Sequence, residues 1–83
     1  MTDEEIAQSL MQLAHERGAG KTFCPSDAAQ RLAQDWRPMM PRVRQVAAQI
    51  GLCATQKGKV VDPVSATGPI RLSLGPDKPV QER

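Results

Sequence analysis

Tyrosine is absent from this chain, and Phe23 and Trp36 are its only large aromatics. With 40% of its 83 residues hydrophobic, the core must rest on Leu, Ile, Val, Met and Ala, a mixture that favours helices with a modest sheet. A chain this short buries only about 60% of the surface that its unfolded form exposes, and it leaves no room for two domains. Cysteine is scarce too. Secreted domains of this size usually carry about four to eight in a disulfide framework, so Cys24 and Cys53 are read as reduced thiols. His15 is the single histidine, and one His with two scattered Cys lacks the ligand set and spacing of a zinc site. No apolar run approaches the roughly 20 residues of a membrane span. Asp3, Glu4 and Glu5 stand where a signal peptide would be positive, so a cytoplasmic protein with no membrane partner is expected.

Charge is nearly balanced at +2 overall, but it is unevenly spread. Residues 1–16 hold four acids and no Lys or Arg. From Arg17 to Lys59 the bases are Arg17, Lys21, Arg31, Arg37, Arg42, Arg44, Lys57 and Lys59, against only Asp27 and Asp35. The remainder is neutral, so the positive field belongs to the middle of the chain.

Thr2 followed by Glu5 forms a capping-box pattern, and Ile6, Leu10 and Leu13 then recur on one helical face. A first helix is predicted from Asp3 to Arg17, with Gly18 as the left-handed residue that ends it. Thr22-Phe23-Cys24 is read as a short strand. Pro25 suits the first turn of a second helix, whose inner face is Ala28, Ala29 and Leu32 and whose positive end is met by Asp27. Asp35 to Met40 breaks the periodicity, and Pro41 repeats the helix-start signal. A third helix follows to Ile50, ended by Gly51, with Val43, Val46, Ala47 and Ile50 on its dry face and Arg44, Gln45, Ala48 and Gln49 opposite. Leu52 to Gln56 reads as a strand, Lys57-Gly58-Lys59 as a turn, and Val60 to Asp62 as its continuation. Pro69 to Leu74 alternates apolar and polar residues, which places Ile70, Leu72 and Leu74 on one face. From Gly75 to Arg83 a flexible tail is expected, leaving residues 1–74 as one domain.

This order is that of a winged helix-turn-helix: three helices and a two- or three-stranded antiparallel wing, mainly α with a small β-sheet. The long link between the second and third helices departs from the short turn of the tight motif. The blocks Lys21-Thr22-Phe23-Cys24-Pro25-Ser26-Asp27, Asp35-Trp36-Arg37, Met40-Pro41-Arg42-Val43-Arg44, Gln56-Lys57-Gly58 and Gly68-Pro69-Ile70-Arg71-Leu72 resemble a small bacterial domain-of-unknown-function family with a winged-helix-like fold. The resemblance runs over residues 4–74 in five ordered blocks. It implies a fold and carries no assigned active site. The short junction Ile50-Gly51-Leu52 departs from it, since relatives are expected to have a longer turn there.

The third helix is the natural recognition element, because the first residues of such a helix reach base edges in the major groove. Arg42, Arg44, Gln45 and Gln49 supply the right chemistry: Arg pairs bidentately with guanine and Gln with adenine. A cation in a first helical turn also opposes the helix dipole, by roughly 0.3–1 kcal/mol. A bound phosphate or base would offset that cost, and so would an internal ion pair with Asp35 or the acids of the first helix. Lys57 and Lys59 at the wing tip, with Lys21 and Arg37, could reach phosphates. Double-stranded DNA is therefore the leading partner, and a homodimer would strengthen binding by so small a domain.

The alternative is a protein-interaction module with Trp36, Met39 and Met40 as anchors. Trp36 reads first as filler between the second and third helices, with the exposed anchor as the alternative. Gly18-Ala19-Gly20-Lys21-Thr22 lacks the first glycine and the preceding strand of a phosphate-binding loop. Cys24 at a helix start, with His15 as a distant base, reads better as a buried cap than as a nucleophile. Neither an enzyme nor a cofactor is expected.

Overall fold

A computed structural model describes residues 2–75. Helix α1 spans Asp3–Arg17, α2 Pro25–Leu32 and α3 Met40–Gln49, and strands β1 Cys53–Gln56, β2 Lys59–Val60 and β3 Arg71–Ser73 form one antiparallel sheet in the order β2-β1-β3. Three helices closed by a three-stranded sheet make a small α+β, winged-helix-like fold, as the element order predicts. The expected tail lies, from residue 76 on, outside the described residues. Its first residue, Gly75, is buried: its N–H donates to Ser73 Oγ (3.2 Å) and its carbonyl accepts from Gly20 N–H (2.8 Å).

Local signals explain the helix ends. The Glu5 N–H donates to Thr2 Oγ1 (3.2 Å) and the Thr2 N–H donates to Glu5 Oε1 (2.9 Å), which completes the capping box. Gly18 has φ +91° as expected of a helix stop, but its ψ of 163° is extended rather than left-handed. Its N–H still bonds Ala14 O at 3.0 Å, and the chain then turns at Ala19-Gly20, where Lys21 N–H bonds Gly18 O at 3.2 Å. At α2 the Cys24 N–H donates to Asp27 Oδ2 (3.3 Å), so the side chain placed near the dipole also caps the helix. Between α2 and α3 the long link contains one 3₁₀ turn, Arg37–Met39, which accounts for the broken periodicity there.

The short strand expected at Thr22 to Cys24 is a single bridge. Phe23 and Leu72 exchange both backbone hydrogen bonds, at 2.8 and 2.7 Å. Across β3, Leu72 also pairs with Ala54, so Phe23, Leu72 and Ala54 form one buried row facing the helices. Ile6, Leu10, Leu13, Ala28, Ala29, Val43, Val46 and Ala47 meet that row from α1, α2 and α3. Arg71 fastens the bridge from outside, donating to Thr22 Oγ1 (3.1 Å), Thr22 O (3.2 Å) and Cys24 Sγ (2.9 Å). Buried Ser9 donates to Ala28 O (3.0 Å), joining α1 to α2. On the surface the same two helices are tied by Arg31 to Glu16 (2.8 Å) and Arg17 to Asp27 (3.8 Å). Both cysteines are free thiols, and among the described residues no helix is long and apolar enough to cross a membrane.

Leu72 lies where sheet and helices meet, and it is wholly buried. Leu72→Ala is expected to cost about 2–5 kcal/mol, read as a lowered urea midpoint at unchanged slope; a loss below about 1 kcal/mol would show that the row is not the centre of the core. The Arg31 guanidinium holds the Glu16 carboxyl below its ordinary value of 4.5. A depressed carboxylate stabilises the fold above that ordinary value, and the contribution disappears as pH falls through the depressed one. Glu16→Gln should therefore narrow the gap between urea midpoints measured at about pH 7 and about pH 3, whereas an unchanged gap would assign the acid sensitivity to other groups.

Candidate nucleic-acid interface

From Trp36 to Val61 the chain contains no Asp or Glu and five bases: Arg37, Arg42, Arg44, Lys57 and Lys59. That run is the 3₁₀ turn, α3, β1 and the hairpin to β2. Its hydrophobic side is determined by the core, since Val43, Val46 and Ala47 are buried and Ile50 packs against them. Helical spacing then turns Gln45, Ala48 and Gln49 to solvent, where all three are exposed. The β1 strand begins at Cys53, one residue later than expected, because Leu52 N–H still bonds Ala47 O of α3 at 3.1 Å.

At the hairpin tip Lys57 (φ +53°) and Gly58 (φ +82°) both take positive φ, as a two-residue type I′ turn requires. Lys59, expected in the turn, opens β2 opposite Gln56. Both lysines are exposed. Beside the turn an open cleft of about 540 Å³ is lined by Gln56, Lys57, Lys59, Val61, Thr67, Gly68 and Pro69.

Arg44 has a different task from the base contact expected of it. Its Nη1 donates to Ala66 O (2.7 Å) and its Nη2 to Gly68 O (2.6 Å). From the other side, Gln56 Nε2 donates to Thr67 O (2.5 Å) and Pro69 O (3.1 Å). Four consecutive carbonyls, 66 to 69, are thus gripped alternately by α3 and by β1. The segment is a strap, bent at Gly68 (φ +82°), that fixes the wing against α3, and both terminal nitrogens of Arg44 are engaged there.

The other candidates are placed as follows. Arg42 pairs with Asp3 of α1, one of the first-helix acids weighed as an internal partner. Arg37 lies over the Trp36 ring, 4.7 Å from its centroid. Trp36, Met39 and Met40 are half-buried and packed on the core, which gives them the filling role rather than an open apolar patch. Lys21 is exposed in the loop before the Phe23 bridge, away from the acid-free run in sequence. The surface brought together is therefore Gln45 and Gln49 on α3, the strap, and Lys57 with Lys59 on the wing. Sequence reading missed Gln56 as the second grip of the strap. Its only signal was its place in the Gln56-Lys57-Gly58 block.

Fold and surface together define a small winged-helix-like domain with a basic hairpin beside an acid-free third helix. The chain belongs to the family described as Protein of unknown function (DUF3253), whose profile matches residues 3–75. No curated protein matches the chain.

Hydrogen bonds from a charged group contribute about 1.5–3 kcal/mol when well sheltered, and Arg44 is only partly buried. Arg44→Ala is expected to destabilise the fold by about 1–2 kcal/mol and to raise amide exchange in the strap and hairpin before the helices. Arg44→Lys, which cannot span two carbonyls as a planar fork does, should recover less than half. Uniform exchange across the domain in Arg44→Ala would show that the strap has no separate stability.

Proposed function

We propose that this domain is a winged helix that binds double-stranded DNA, with α3 at the major groove and the β1–β2 hairpin on the adjacent phosphate backbone. One observation carries the reading: the Arg44 grip on Gly68 joins α3 to the strap, and Gly68 lines the same cleft as Lys57 and Lys59. Helix and wing are therefore joined through the strap, and the stretch from Trp36 to Val61 that forms them contributes no acid of its own. Gln45 and Gln49 are one helical turn apart and free to read base edges, adenine above all. Lys57, Lys59 and Arg37 contact phosphates, which fix register without reading sequence. Arg44 shapes this surface and leaves base contact to its neighbours.

Electrostatic binding of this kind is tested by its salt dependence. A labelled mixed-sequence duplex titrated at several salt concentrations should give a slope of log affinity against log salt of roughly −2.7, three phosphate contacts at about −0.9 each. Lys57→Ala with Lys59→Ala should flatten the slope by about 1.8 and leave the thermal midpoint within a few degrees of the parent. No measurable binding at about 50 mM salt, where attraction is strong, would refute the reading for this domain.

A further inference from the structure

We propose that Asp3 is a built-in competitor for DNA: its carboxylate latches Arg42 at the start of α3, and a phosphate must displace it. This inference rests on the DNA reading above. The two residues are 39 apart in sequence, and the fold brings the Arg42 Nε to Asp3 Oδ1. Both side chains remain accessible, at 59% and 43%, so the pair can open without unfolding anything.

The first turns of the two helices explain why the latch forms. Arg42 occupies the first turn of α3, which contains no acid and has no side-chain cap. A cation there faces the positive end of the helix dipole and needs an anion beside it. Asp3 occupies the first turn of α1, where a carboxylate is favoured already. It therefore gains from its own helix and from Arg42, while Arg42 gains from Asp3 alone. A DNA phosphate meets the same requirement of Arg42, at a helix end whose N–H groups also favour an anion. In the closed latch that place is occupied by the protein's own carboxylate. When phosphate replaces it, the freed carboxylate recruits a cation from solution, which cancels the counterion released from DNA. Arg42 then adds little to the salt dependence, despite its position on the recognition helix.

Asp3→Asn opens the latch, and Glu4→Gln removes the same charge from the same turn without touching the pair. With the full chain and a labelled mixed-sequence duplex at about 50 mM salt, Asp3→Asn should tighten binding by about two- to fivefold, the range of one exposed ion pair, and steepen the salt slope by about 0.9. Glu4→Gln should tighten it less, and the Asp3→Asn gain should vanish when Arg42→Ala is also present. If Glu4→Gln matches Asp3→Asn, or the gain persists without Arg42, the latch is overturned while DNA binding stands. If the parent domain does not bind the duplex, the DNA reading falls and the latch with it.

Discussion

Two backbone hydrogen bonds, exchanged between Phe23 and Leu72, determine how the halves of the molecule meet. The first half is a helical layer whose α1–α2 connection carries Phe23; the second is a hairpin followed by β3, whose Leu72 arrives almost 50 residues after Phe23. Without the bridge, β3 would present an unpaired edge, and the Phe23 side chain, now wholly buried, would lose its floor. With it, Phe23 and Leu72 share one core with the buried side chains of the three helices. Arg71 reinforces the junction from the solvent side through three donors. Among the described residues the bridge is the one backbone pairing that joins the α1–α2 connection to the sheet.

What could be read from the sequence was what is written in periodicity and in end signals. The capping box at Thr2 and Glu5, and prolines 25 and 41, act within one or two turns of chain, and the helices they open are where they were expected. The alternation from Ile70 to Leu74 likewise marked β3, although Ser73 is buried on the opposite face by the Gly75 turn. The strap was invisible for a physical reason. Its acceptors are main-chain carbonyls, which every residue type carries, so nothing in Ala66 to Pro69 announces what will bind there. Arg44 looked like a free cation because its partners have no side-chain signature. The Asp3 pairing of Arg42 was foreseeable only as a charge type, since distance along the chain says nothing about which acid arrives.

The same folding step reorganises the electrostatics. Acids concentrated at the start of the chain are delivered to bases in the middle: Asp3 to Arg42, and Glu16 to Arg31. Among the described residues the bases left without an acid are Lys21, Arg37, Arg44, Lys57, Lys59 and Arg71, of which Arg44 and Arg71 bond neutral groups. Exposed pairs of this sort contribute little to stability individually. Their larger effect is on where charge is left, because they neutralise Arg17, Arg31 and Arg42 and leave the hairpin lysines unopposed.

Arg44 and Gln56 hold the strap by oxygen atoms that do not depend on the identity of the residues bearing them. The grips themselves therefore place no demand on side-chain identity, but they do fix the spacing of the peptide units. A substitution at exposed Thr67 should pass almost unnoticed, whereas one at Gly68, held at φ +82°, strains the backbone. An insertion or deletion of one residue would shift the alternation and present each grip with the wrong edge of the backbone, so outside Gly68 the wing is more tolerant of spelling than of length.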